Sequence, residues 1–269
     1  MSVTPLAPHQ GDLSVLNTYD HRHRRVLKRV KCYDNDEWVS SRVHSFAYDG
    51  GNIVLERIVY ANGDACTIEN FWGDDLSGTK EGAGGVGGLL AISIDGNYCF
   101  PCYDSNGNVL RYVSEDGSVA AQFVYDPYGN VLEQEGAAAD SLRIRFSTKY
   151  ADSEVGVVSY LMRFYSPVLG RWLSRDPVGE EGGMNLYGFC GNDSIGKYDK
   201  DGCAYFAKLQ GGVHLLPGTN SFAICDYEIP TVETLQNEYE IRLRITGDVC
   251  AMIECFSKSA IAICNATSE

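Results

Sequence analysis

Cys99-Phe100-Pro101-Cys102 is a C-x-x-C spacing, which can hold a metal between two thiolates or run dithiol redox chemistry. A zinc ribbon needs a second such pair, and the cysteines at 32, 66, 190, 203, 225, 250, 255 and 264 do not supply one. A thioredoxin-like motif needs a strand that runs into a helix, whereas these flanks read as strands and turns. The pair is therefore expected to be structural, and neither a metal nor a cofactor is expected. No secretory signal is visible over Met1 to Asn17, so the thiols are expected to be reduced.

Two other stretches invite a chemical reading. Glu81-Gly82-Ala83-Gly84-Gly85-Val86-Gly87-Gly88 is rich enough in glycine to cradle a phosphate, but it lacks a Gly-Lys-Ser/Thr ending and a strand–turn–helix context. It reads as a loop or a tightly packed turn. The run His21-Arg22-His23-Arg24-Arg25 reads as a solvated strand face. The net charge of −14 argues against nucleic acid as a partner, since phosphate binding needs clustered Lys and Arg.

The elements that would position any site are strands. Twenty-nine Gly and seventeen Tyr favour tight turns and strands over helices, and 44 % hydrophobic residues can build a core. A repeat is visible: Tyr103-Asp104-Ser105-Asn106-Gly107-Asn108-Val109-Leu110 recurs as Tyr125-Asp126-Pro127-Tyr128-Gly129-Asn130-Val131-Leu132. Tyr48 to Leu55 is a looser copy, and Tyr19 to Leu27 a degenerate one without its glycine. In each unit Tyr ends a strand, Asp starts a turn by accepting backbone N–H groups, and Gly or Asn takes the left-handed position. The aliphatic pair then opens the next strand. The expected product is a row of β-hairpins, with Gly107 and Gly129 at positive φ.

From Ser159 the pattern changes to Tyr160-Leu161-Met162-Arg163-Phe164-Tyr165-Ser166-Pro167. Gly170-Arg171-Trp172-Leu173-Ser174-Arg175-Asp176-Pro177-Val178-Gly179 and Gly182-Gly183-Met184-Asn185-Leu186-Tyr187-Gly188-Phe189 follow. This string resembles the Rhs repeat-associated core, and with the Tyr-Asp repeats the resemblance spans Gly11 to Gly202. It implies a mainly β fold: YD-type hairpin repeats over residues 1–150, an Rhs core over 151–203 and a variable α+β tail over 204–269. In that family the repeats wind into a spiral β-shell around a variable carboxy-terminal segment, often a toxin.

Some members cut themselves at the end of the core with two Asp and an Arg. Matched motif by motif, the resemblance implies Asp176, Asp199 and Arg163 for these roles and Cys203–Ala204 for the cut bond. Two close carboxylates cannot easily both ionise, so one can donate a proton while the other activates water. The sequence departs from the family pattern at Lys200, where Pro is usual, and at Cys203, where an apolar residue is usual. Lys200 could pair with a catalytic carboxylate, and Asp201 could substitute as an acid. The other reading of Asp176 and Asp199 is that they only start turns, as in the repeats.

Tail segments such as Ser221 to Cys225 and Glu240 to Ile245 look strand-like, and Val249 to Cys264 reads as a helix capped by Asp248. Repeats and core together are too short to close a chamber, so the resemblance points to a shell segment that encapsulates and presents its own carboxy-terminal segment as cargo. An immunity protein and secretion machinery are the further partners implied. The alternative is a non-catalytic structural or carbohydrate-binding β-repeat protein. No window reaches the ~20 apolar residues of a membrane span. The localisation expected is cytoplasmic before non-classical export to the cell surface or beyond.

Overall fold

Asp126 shows how the repeat folds. Its Oδ1 accepts the N–H groups of Tyr128 (2.8 Å) and Asn130 (2.9 Å), while its Oδ2 accepts the Asn130 side-chain amide (2.6 Å). Gly129, at φ +86, turns the chain where a Cβ would meet the Phe146 ring at 2.6 Å. Asp104 holds Asn106 and Asn108 in the same way, with Gly107 at φ +72. In the degenerate copy Asp20 still collects the N–H groups of Arg22 and Arg24. There His23, at φ +62, occupies the left-handed position that glycine holds elsewhere. The repeat tyrosines then reach back across the sheet: the hydroxyls of Tyr48, Tyr103 and Tyr125 donate to the carbonyls of Arg25, Leu89 and Val109.

The computed structural model describes residues 2–203 and, beyond them, strands at Tyr205–Ala207, His214–Leu215, Ser221–Ile224 and Tyr227–Pro230. Its main sheet is an antiparallel meander of eleven strands in chain order. The first six are β1 (Ser2–Val3), β2 (Leu13–Tyr19), β3 (Arg25–Asp34), β4 (Glu37–Asp49), β5 (Asn52–Tyr60) and β6 (Ala65–Trp72). The rest are β7 (Leu89–Ile94), β8 (Asn97–Tyr103), β9 (Val109–Ser114), β10 (Val119–Tyr125) and β11 (Val131–Glu135). A second sheet holds β12 (Tyr150–Asp152), β13 (Val157–Ser159), β14 (Phe164–Ser166) and β15 (Arg171–Trp172), and a separate pair joins β16 (Lys197–Asp199) to β17 (Tyr205–Ala207).

The expected mainly β fold is what the chain adopts; among the described residues, helix is limited to three short 3-10 turns. None of the described helices is long and apolar enough to cross a membrane. The chain packs as two units, Met1–Lys208 and Leu209–Glu269. In the second, β18 (His214–Leu215), β19 (Ser221–Ile224) and β20 (Tyr227–Pro230) pair antiparallel. The strand expected at Glu240 to Ile245 and the helix at Val249 to Cys264 lie outside the described residues.

Strand periodicity decides the C-x-x-C pair. Residues three apart in a strand point to opposite faces, and in β8 Cys99 is buried while Cys102 is exposed. The two thiols therefore do not converge on one ligand.

One face of the main sheet buries aliphatic residues such as Val15, Val30, Ile58 and Ile68 beside polar ones, Arg25, Lys28, His44 and Glu56. The segment from Leu142 to Glu154 lies on this face and answers those polar groups. The Tyr150 hydroxyl donates to Glu56 Oε1 (2.8 Å), which also meets His44 Nδ1 at 2.6 Å. Asp152 pairs with Arg25 and with Lys28 Nζ (2.6 Å). Glu154 takes Lys28 (2.5 Å), Arg42 (2.6 Å) and Arg143 (3.0 Å). Arg25 is thus buried, which corrects the solvated reading of the His21–Arg25 run; a cation inside is tolerable only with such partners. Beside this network an aromatic cluster of Phe146, Tyr160, Tyr165, Trp172 and Phe189 forms the core of the following segment, with Tyr165 stacked on Phe189 at 3.9 Å.

Candidate functional site

Arg163 sits just ahead of β14 and is held from both sides. The Met162 N–H donates to the Asp201 carbonyl (2.9 Å), and the Tyr160 N–H to the Arg163 carbonyl (3.1 Å). The guanidinium lies over the Trp172 ring at 4.2 Å, a contact that orients its plane. From there Nη2 reaches Asp176 Oδ2 at 2.9 Å and Asp199 Oδ2 at 3.9 Å. Nε donates to the Gly202 carbonyl and Nη1 to that of Leu186 (3.3 Å). The structure therefore brings Arg163, Asp176 and Asp199 together, on the chain that leads to Cys203.

Both carboxylates also start turns. Asp176 Oδ1 accepts the Val178 N–H (3.0 Å), and Asp199 Oδ1 accepts those of Gly202 (2.7 Å) and Asp201 (3.2 Å). Each uses one oxygen for its turn and presents the other to Arg163. The turn-starting and carboxylate-pair readings are therefore compatible in geometry.

Burial raises the Asp199 pKa, the Gly202 N–H and the Arg163 charge only partly offset it, and the group ends at about 6. Burial and the neighbouring Asp201 push the Cys203 thiol up to about 11, so it is no thiolate at neutral pH. Asp201 spends Oδ1 on the Cys203 N–H (3.1 Å). Lys200 forms no ion pair among the described residues, and its carbonyl lies against Gly84. Asp199 pairs with Tyr205 across β16 and β17, so the expected Cys203–Ala204 bond falls between paired strands. Ala204 itself lies outside the described residues.

The glycine-rich loop has a carboxylate, and it is the chain's own. Asp75 Oδ2 accepts the N–H groups of Ala83 and Gly85, each at 2.8 Å, and Oδ1 accepts that of Ser77 (2.9 Å). Amides that could have cradled a phosphate are consumed by this buried side chain. The loop instead brings Gly84 to the site. Its carbonyl accepts Lys149 Nζ, and a Cβ at Gly84 would stand 2.1 Å from the Lys200 oxygen. Motif reading missed Lys149, because a lone lysine between strand residues carries no signal.

The geometry can be set against known proteins. The family model described as Teneurin YD-shell matches residues 84–195, the stretch from the glycine-rich loop through most of the core. That match supports the resemblance of this chain to Rhs/YD-repeat proteins. The chain is similar to tRNA3(Ser)-specific nuclease WapA of Bacillus spizizenii, 28 % identical over 192 residues, covering 68 % of this chain and 7 % of that protein. Toxin subunit YenC2 of Yersinia entomophaga is 37 % identical over 97 residues, 34 % of this chain and 10 % of its own length. Salivary gland surface protein 1 of Aedes aegypti is 28 % identical over 186 residues, 68 % of this chain and 5 % of that protein. The chain thus spans a tenth or less of these relatives. The crystal structure of TcdB2-TccC3 shares its fold at a TM-score of 0.58 with 20 % identity, over 75 % of this chain and 10 % of that one.

Proposed function

We propose that this chain is a segment of a YD-type shell that encloses and presents residues 204–269, and that it cuts itself once at Cys203–Ala204. Residues 1–150 supply the hairpin wall and 151–203 the core that carries the cutting site. The observation that carries the proposal is Arg163 shared between Asp176 and Asp199 while its Nε holds the Gly202 carbonyl, one residue before Cys203. Relatives named as a toxin subunit and a nuclease support reading the tail as toxic cargo, with an immunity protein and export machinery as its partners.

In the proposed reaction a water attacks the Cys203 carbonyl carbon and Asp176, held by Arg163, takes the proton it releases. Asp199, whose pKa of about 6 leaves much of it protonated in mild acid, donates its proton to the Ala204 nitrogen as the C–N bond breaks. Arg163 also steadies the negative charge that develops on the carbonyl oxygen. One water is consumed, and a new carboxyl and a new amino terminus result.

Intact-mass analysis of the purified chain over acidic to neutral pH tests this. Wild type should yield a fragment ending at Cys203, and Asp176→Asn and Asp199→Asn should each stay whole. A wild-type chain that stays whole throughout would return the protein to the non-catalytic, carbohydrate-facing alternative.

A further inference from the structure

Lys149 is a cation near this site that the roles above leave unused. It precedes β12 and borders a cavity of about 400 Å³ whose wall also includes Tyr160, Arg163, Lys200 and Asp201. Its side chain is half-buried. Nζ donates to the Gly84 carbonyl and lies 5.4 Å from the Tyr160 ring centre. Gly84 in turn packs directly on the Lys200 carbonyl, and the Tyr160 Cβ lies against Gly202. Two of its contacts therefore touch the backbone on either side of Asp201.

We propose that Lys149 is a positioning residue of the cutting site: it anchors the segment Asp199 to Cys203 on the Gly84 turn and adds a second cation to a cluster of carboxylates. The proposal rests on the self-cleavage reading. Desolvation brings the Lys149 pKa down to about 8, against the pull of Asp199, Asp201, Asp75 and Glu81, so it stays mostly charged at neutral pH. Asp199 meets Arg163 and Lys149 as cations and Asp201 and Asp176 as anions, with N–H donors from Gly202 and Asp201. Removing a cation from beside Asp199 makes its carboxylate harder to form. Gly84 has a matching demand: at φ +68, with the Lys200 oxygen where a Cβ would stand, it admits no side chain unless that carbonyl moves.

The test uses the full chain. Lys149→Met, which keeps the length and apolar stem, should slow appearance of the Cys203 fragment by about tenfold or more, as misplacement of reacting groups does. Lys149→Arg, which restores charge and donor, should recover part of the rate. In an Asp176→Asn background that cannot cut, carboxyl NMR should show Asp199 titrating at higher pH when Lys149→Met is added. Wild-type cutting by Lys149→Met with an unmoved Asp199 titration overturns the proposal. A chain that never cuts removes the self-cleavage reading, and the Asp199 titration alone then decides whether Lys149 acts on that carboxyl. Should Lys149→Met fail to fold, Lys149→Arg and Gly84→Ala carry the test, the first cutting and the second slowed, and two rates equal to wild type overturn it.

Discussion

Two buried ionic clusters of this protein are built with opposite stoichiometry. In one, Asp152 and Glu154 are shared among Arg25, Lys28, Arg42 and Arg143. In the other, one guanidinium, Arg163, serves Asp176 and Asp199. Burial pushes Glu154 in the first cluster and Asp199 in the second toward the neutral form. For Glu154, Lys28 and Arg143 more than offset it and hold the group well below the usual carboxylate range. For Asp199 the Gly202 N–H and the distant Arg163 do not, and the group rises to about 6. A surplus of cations makes a cluster that pins the core segment to the sheet. A shortage leaves one carboxyl poised to exchange a proton near neutral pH, which is what acid–base chemistry needs.

The harshest way to break the comparison is Asp152→Ala. It strands Arg25 in the interior and leaves Lys28 only Glu154, and losing one partner of a buried ion pair costs ~3–5 kcal/mol. Urea unfolding measures this; a loss below ~1 kcal/mol would mean that the first cluster does not hold the fold.

A gentler probe is the pH dependence of stability, because the two clusters should have opposite signs. Glu154 is more acidic folded than unfolded, so its contribution is full above about pH 4.5 and is lost as pH falls from there. Asp199 is less acidic folded than its ordinary 3.8, so its contribution is full below about pH 4 and is lost as pH rises through 6. The Asp199 part amounts to ~2–3 kcal/mol, and Asp199→Asn should flatten the unfolding curve between pH 4 and 6. An unchanged slope would show that Asp199 titrates normally.

The smallest effect expected is on the stability of the second cluster at about pH 4, where Asp199 is mostly protonated. Asn at 199 keeps an oxygen for the Gly202 N–H, so there Asp199→Asn should move the urea midpoint by no more than ~1 kcal/mol would. A loss as large as that of Asp152→Ala would give the second cluster a holding role like the first.

Much of the fold could be read along the chain because the repeat is local. Asp104 and Asp126 each bond to atoms within four residues, so the turn can be read from a few consecutive letters. Even the copy that lost its glycine kept the turn, since Asp20 survives and His23 accepts the left-handed backbone. Strand length was less legible. The usual ~5–6 residues would suggest short hairpins, yet β3 and β4 run for 10 and 13 residues. Nothing local ends them before the turns do.

Arg163, Asp176 and Asp199 could be named from sequence only through their motifs, because the contacts that join them cross as many as 36 residues and leave no periodic trace. The sequence by itself determined the hairpins, the turn residues and the β-rich class, all set by backbone preferences within a few residues. Only the tertiary structure decided which charges meet. It put Arg25 under Asp152, gave the glycine-rich loop to Asp75 rather than to a ligand, and set Lys149 on the Gly84 carbonyl. Each of these is a long-range pairing of buried polar groups, and its energy comes from desolvation and partnership that exist only once the chain has folded.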